Sequence, residues 1–314
     1  MKYLISNIKL SKLLLSSANI LKEIHGSIKQ DFSNFKFRDE LIFGFSNKGY
    51  SEIFKRNFFT LLMLSVLLES KLSKDKVISY GKIIFLLRQI VTSTDNIIDV
   101  EDKGDIKFKN LTNIIVKNNF LSLMCQDLLT KECLKVSNGN LELSNKILEE
   151  LYSIAFSENL RDSHLYTSYP DSKFILNKIH SGIGGKLLEI SLVAPNYIEN
   201  NSQINNFSSG LYEIGMSLQA IDDLFDIQED IDANKINLAL GKFLEENIDI
   251  SEADFHSLDD TFSKKFLEKI VESAYHGFFI LSNNGFPISH SDAKQMLKKL
   301  FKLRGLEQYV EIIK

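Results

Sequence analysis

The 314-residue chain has no tryptophan, three prolines (Pro170, Pro195, Pro287) and two cysteines (Cys125, Cys133). Two thiols eight positions apart, without the paired Cys or His ligands of a zinc site, exclude a disulfide framework and point to a reducing compartment, the cytoplasm. So little proline leaves long helices uninterrupted. An excess of charge of one sign is also missing: 37 Lys+Arg stand against 41 Asp+Glu, a net charge of −4. That balance provides no footprint for nucleic acid or an anionic membrane surface. Long apolar runs are absent too. The longest, Phe58 to Leu68, falls short of the roughly 20 residues a membrane span needs, so no transmembrane segment is expected. At the N-terminus Lys9 and Lys12 interrupt the apolar run. Its Leu4, Ile5, Ile8, Leu13 and Leu14 fall at helical spacing rather than in a signal-peptide core. No linker of Pro, Gly and Ser and no repeat divides the chain, which reads as one domain over 1–314.

What is present is helical periodicity. With 44% apolar residues, and 23 Phe in the chain, there is enough to fill a large core. The spacing predicts helices over about 3–25, 52–70, 75–100, 110–134, 141–158, 172–193, 204–231, 262–282 and 290–313, and no strand by alternation. Turn chemistry separates them, as in Ser137-Asn138-Gly139-Asn140 and Ser282-Asn283-Asn284-Gly285. The fold class is all-α: a single-domain bundle of long helices around a central cavity.

Two acidic clusters close otherwise apolar helices. In the first, Asp95 and Asp99 are four apart and so project from one face, with Asn96 between them. In the second, Asp222, Asp226 and Asp230 form a stripe at i, i+4 and i+8, with Asp223 beside it. Like charges at this spacing repel by a few tenths of a kcal/mol per pair. Placing them twice at the ends of apolar helices calls for a compensating cation. Magnesium fits, since it prefers oxygen ligands and binds through one or two carboxylates plus substrate phosphates.

At these residues a family appears. Asp222-Asp223-Leu224-Phe225-Asp226, led in by Gly210, Gly215 and Gln219, resembles the second DDxxD motif of the trans-isoprenyl diphosphate synthases and their class I terpene-synthase relatives. Asp95-Asn96-Ile97-Ile98-Asp99 resembles the first such motif with its second Asp replaced by Asn, and Phe54-Lys55-Arg56 stands near the family's G-K-R. The resemblance covers roughly residues 50 to 240. It implies the isoprenoid synthase fold, three magnesium ions per active site, a prenyl diphosphate substrate, a homodimer, and departure of pyrophosphate to leave an allylic cation in a dry cavity. On this resemblance Asp95, Asp99, Asp222 and Asp226 are catalytic. The same four, with Asp223 and Asp230, are the metal ligands. Arg88, Gln219, Lys55, Lys186, Lys235 and Arg304 are the candidates for substrate contacts.

The departures from the pattern bear on the reaction. The arginine pair that follows the first motif in chain-elongating members is Glu101-Asp102-Lys103 here; R-x-R-P becomes Arg56-Asn57-Phe58-Phe59; the lysine of K-T-G aligns with Ile183. These losses weaken a second diphosphate site more than the metal site, so the expected function is a class I terpene synthase, a cyclase or diphosphate lyase. The alternatives are a chain-elongating polyprenyl diphosphate synthase and a head-to-head prenyltransferase. The latter draws on Ser181-Gly182-Ile183-Gly184-Gly185, which is similar to a stretch of the squalene and phytoene synthases. Those three glycines read either as close-packing points or as a helix break, and His180 is a minor candidate for proton transfer.

Overall fold

A computed structural model describes residues 7–45, 49–246, 260–303 and 305–313. Helices dominate. In chain order they are α1 (Ile8–Ser33), α2 (Tyr50–Arg56), α3 (Phe58–Glu69), α4 (Lys74–Ile98), α5 (Ile114–Val136), α6 (Glu142–Asn159) and α7 (Ser172–Phe174). A π-helix follows over Ile175–Lys186, then α8 (Leu187–Glu189), α9 (Val193–Glu199), α10 (Ser202–Phe225), α11 (Ile227–Asp232), α12 (Leu238–Glu245), α13 (Asp260–Asn283) and α14 (His290–Leu303). The expected all-α class is observed. Two three-residue strands, β1 (Leu41–Phe43) and β2 (Ile106–Phe108), pair antiparallel, with Leu41 opposite Phe108. Three residues are too few to register as alternation in a sequence.

The chain divides into two compact units. The first comprises Ser11–Ile147 and Ser191–Ile204. At its centre is α3, apolar on every side, with Leu61, Leu64, Val66 and Leu67 fully buried, as a core helix must be. The α4 helix starts on the Ser73 cap, whose side chain accepts from the Lys76 amide, and packs along α5. A Cβ on Gly81 would lie 2.2 Å from Ile24 Cδ1, so α4 can approach α1 only through this glycine. Buried Lys82 is paired with Asp31 (2.7 Å) and Glu132 (2.6 Å), which keeps its charge compensated inside the unit.

The second unit comprises Met1–Leu10, Leu148–Ile190 and Asn205–Lys314. Here the π-helix meets α10 backbone to backbone: a Cβ on Gly215 would stand 2.2 Å from the Gly184 carbonyl oxygen. Gly182 lies against Ser157 and Gly185 under the Tyr212 ring. Of the two readings of these glycines, close packing holds, and the helix continues through them with widened π winding.

Three expected helices are split, one of them 290–313, where α14 ends at Leu303 and a 3₁₀ segment follows over Glu307–Ile312. Asn57 ends α2 and starts α3, its side-chain amide donating to the Ile53 carbonyl. The predicted 204–231 helix breaks at Asp226, so Asp230 belongs to α11 and leaves the stripe of Asp222 and Asp226.

Candidate functional site

The first acidic set sits at the end of α4. Asp95 and Asp99 are one turn apart and exposed, and the Asp99 amide donates to the Asp95 carbonyl (2.8 Å). The helix then reverses through Val100 at φ 54°, with the Glu101 amide donating back to the Asn96 carbonyl (3.1 Å). This is a Schellman closure with a β-branched residue where glycine or asparagine is usual. Asn96 is 2% exposed. Its Nδ2 donates to the Lys103 carbonyl (2.6 Å) and to Asn118 Oδ1 (3.1 Å), while its Oδ1 accepts from the Lys103 amide (3.0 Å). The asparagine that replaces the motif's second aspartate therefore staples the following loop. A carboxylate cannot do this because it only accepts.

Arg88 lies two turns upstream. Its guanidinium donates to Asn57 Oδ1 (2.7 Å), Thr60 Oγ1 (3.2 Å) and Asp105 Oδ2 (2.6 Å). A fork engaged on three protein acceptors holds the loop of Asp105 in place. Lys55 is exposed on α2.

The second set closes α10. Asp222 and Asp226 are half-buried, and the Asp226 amide donates to the Asp222 carbonyl (2.8 Å). Asp223 points the other way and is 1% exposed. Its Oδ2 accepts from the Leu238 amide (2.6 Å) and is 2.8 Å from His180 Nε2; its Oδ1 accepts from Gln219 Nε2 (2.9 Å). Burial opposes its ionisation, but His180, Arg161 and the Leu238 amide outweigh that and hold the carboxyl below the usual range. Asp230, also buried, accepts from Arg161 (2.9 Å) and Asn237 (2.8 Å). Burial dominates there and pushes its pKa up despite Arg161. Asn237 ties the pair together, since its Nδ2 also donates to the Asp223 carbonyl (2.6 Å) while its Oδ1 caps α12. The Tyr169 hydroxyl receives the Asn237 amide (2.6 Å).

Thus α10 divides its aspartates by face: Asp222 and Asp226 outward, Asp223 inward. The oxygens of Asp223 and Asp230 are spent on protein donors, unlike the ligand role expected for them, and Gln219 is spent on Asp223. Lys186 pairs with Glu150. The Lys235 amide donates to the Asp230 carbonyl (2.7 Å), closing α11. Arg304 lies outside the described residues. His180, Arg161 and Asn237 emerge as organising residues that no local spacing signalled.

Among the described residues no three His, Cys, Asp or Glu side chains converge on a metal-sized point. Each set instead offers two carboxylates four residues apart. This all-oxygen donor set fits a hard cation that keeps waters and completes its shell with phosphate oxygens, as magnesium does. Among the described residues no helix is long and apolar enough to cross a membrane.

Sequence comparison finds no matching family model and no matching curated protein. Solved structures do match. A geranylgeranyl pyrophosphate synthetase from Geoglobus acetivorans aligns with 95% of this chain and 99% of its own, at TM-score 0.61 and 16% identity. A heptaprenyl diphosphate synthase from Staphylococcus aureus covers 92% and 98% (0.58, 14%), and a decaprenyl diphosphate synthase from Rhodobacter capsulatus 97% and 98% (0.56, 13%). The chain has the fold of these prenyl synthases over nearly its whole length, in agreement with the resemblance read from its acidic motifs.

Proposed function

We propose that this chain is a magnesium-dependent enzyme that ionises an allylic prenyl diphosphate and passes the prenyl group to isopentenyl diphosphate, as a chain-elongating prenyl diphosphate synthase. The observation that carries the reading is the pair of same-face aspartates at the ends of α4 and α10, on a fold shared end to end with synthases of linear prenyl diphosphates. Asp95 and Asp99 at the end of α4, and Asp222 and Asp226 at the end of α10, would each hold magnesium, which would neutralise charge developing on the departing pyrophosphate. Asp223 and Asp230, fixed by His180, Arg161 and Asn237, position the last turn of α10 so that Asp222 and Asp226 face outward. The fold comparisons thus favour the elongating alternative over the cyclase expected from the motif departures.

The cyclase reading keeps two observations in its favour. Ile183 is buried at the position of the family's K-T-G lysine, and Arg88 is engaged within the protein. The two readings separate in one assay: purified protein with magnesium, farnesyl or geranyl diphosphate and radiolabelled isopentenyl diphosphate. Label in longer diphosphates supports elongation. A hexane-extractable hydrocarbon or alcohol from the allylic substrate alone supports the cyclase. Absence of both overturns the ionising reading. The homodimer implied by the resemblance is proposed with it. Leu148, Tyr152 and Phe156 lie exposed at four-residue spacing along α6, and light scattering on the purified chain reads the mass.

A further inference from the structure

A cavity of about 370 Å³ opens within the second unit, between the π-helix, α10, α12 and α13. On α10 its lining is Tyr212, Glu213, Met216, Ser217 and Ala220. At about 100° per residue Glu213 and Ala220 lie on the side of the helix opposite Asp222. Among the described residues that line the cavity neither Asp222 nor Asp226 is found, so it is separate from the proposed metal-binding carboxylates. Apolar side chains make up much of its lining: Leu176, Met216, Ala220, Phe262, Phe266 and Ile270. Three lysines also line it, Lys242, Lys265 and Lys269. Lys265 and Lys269 share one edge of α13, a turn apart.

The volume is in the range of small-molecule sites, and an apolar interior with a few charged groups at one edge is their usual composition. Lys242 is held by Glu245 (2.8 Å), but Lys265 has a partner that yields more easily: its pair with Glu246 (3.0 Å) is exposed to solvent, where ion pairs are weak. Glu213 on the α10 wall and Glu246 just past α12 both line the cavity and repel an anion from their sides, which leaves the α13 edge for a negative head.

We propose that this cavity is a second ligand site, taking an amphiphile whose alkyl or prenyl chain lies on the Phe262, Phe266 and Ile270 wall and whose phosphate head meets Lys265 and Lys269. The site is independent of the proposed reaction, and its test requires neither metal nor turnover. Dodecyl phosphate, kept below its micelle concentration, is titrated calorimetrically into the full chain in the presence of EDTA. One molecule should bind per chain. Lys269→Glu, a change at an exposed position, should weaken binding at least tenfold, and Ile270→Trp, which fills the cavity, should abolish it. Dodecanol, lacking the head, should bind at least tenfold more weakly than the phosphate. No binding in EDTA, equal binding of dodecanol, or unchanged affinity in Lys269→Glu overturns the proposal. Should Ile270→Trp fail to fold, Lys269→Glu and the dodecanol comparison decide it.

Discussion

Restoring the aspartate that the first acidic motif lacks should damage this protein. In Asn96→Asp one carboxylate oxygen keeps the Lys103 amide. The other lies where Nδ2 stood, 2.6 Å from the Lys103 carbonyl and 3.1 Å from Asn118 Oδ1, both acceptors. Asn118 cannot turn its amide to help without withdrawing Nδ2 from the Ile114 carbonyl (2.9 Å). Two hydrogen bonds worth about 1 kcal/mol each are lost. The introduced charge is also buried without a donor for one oxygen, and the total cost should reach about 3–5 kcal/mol. An unfolding entropy of about 2.1 cal/mol/K per residue over 314 residues amounts to roughly 0.66 kcal/mol/K, so the thermal midpoint should fall roughly 5–8 °C at pH 7. The deficit also has a sign in pH. Burial raises the introduced carboxyl's folded pKa above its unfolded value, so ionisation is what destabilises. The gap to the parent is therefore full at neutral pH and narrows as pH falls through the folded pKa, where the protonated acid can donate to the Lys103 carbonyl. Calorimetric melts of parent and variant from pH 7 downward measure both. A midpoint within about 1 °C of the parent at pH 7, or a gap that fails to narrow on acidification, refutes the assignment of Asn96 as a structural staple.

Further outcomes are expected. Asp222→Ala and Asp226→Ala should each lower turnover by two or more orders of magnitude with unchanged helical circular dichroism, and should leave the metal-free melting midpoint level or slightly higher because repelling carboxylates are removed. Val100→Asn should stabilise by about 1 kcal/mol, since an exposed β-branched residue at φ 54° gives way to one that tolerates the left-handed region; a lower midpoint would show that Val100 is not strained. Lys242 and the Ser172 amide and hydroxyl hold the Glu245 carboxyl down at about 2. A depressed acid stabilises above its unfolded pKa and loses that contribution as pH falls through the folded value. The stability difference between parent and Glu245→Gln should accordingly be largest near neutrality and vanish between about pH 4.5 and 2; a difference constant over that range would contradict the contact.

The sequence alone determined the class of the fold, the positions of most long helices and the two acidic clusters, because 3.6-residue periodicity and four-residue spacing are properties of a single segment. Spacing alone could not break the helix at Asp226 or find α9, α12 and the short strand pair, which are too brief to display a period. Nor could it say which aspartates turn inward. Asp222 and Asp223 are adjacent in the chain, yet one is half-exposed and the other has His180 and the Leu238 amide as partners, 43 and 15 residues away. Asp230 is drawn from the stripe by Arg161, 69 residues upstream. A buried carboxylate is stable only where donors converge on it, and convergence of donors from distant segments exists only once the tertiary structure has formed.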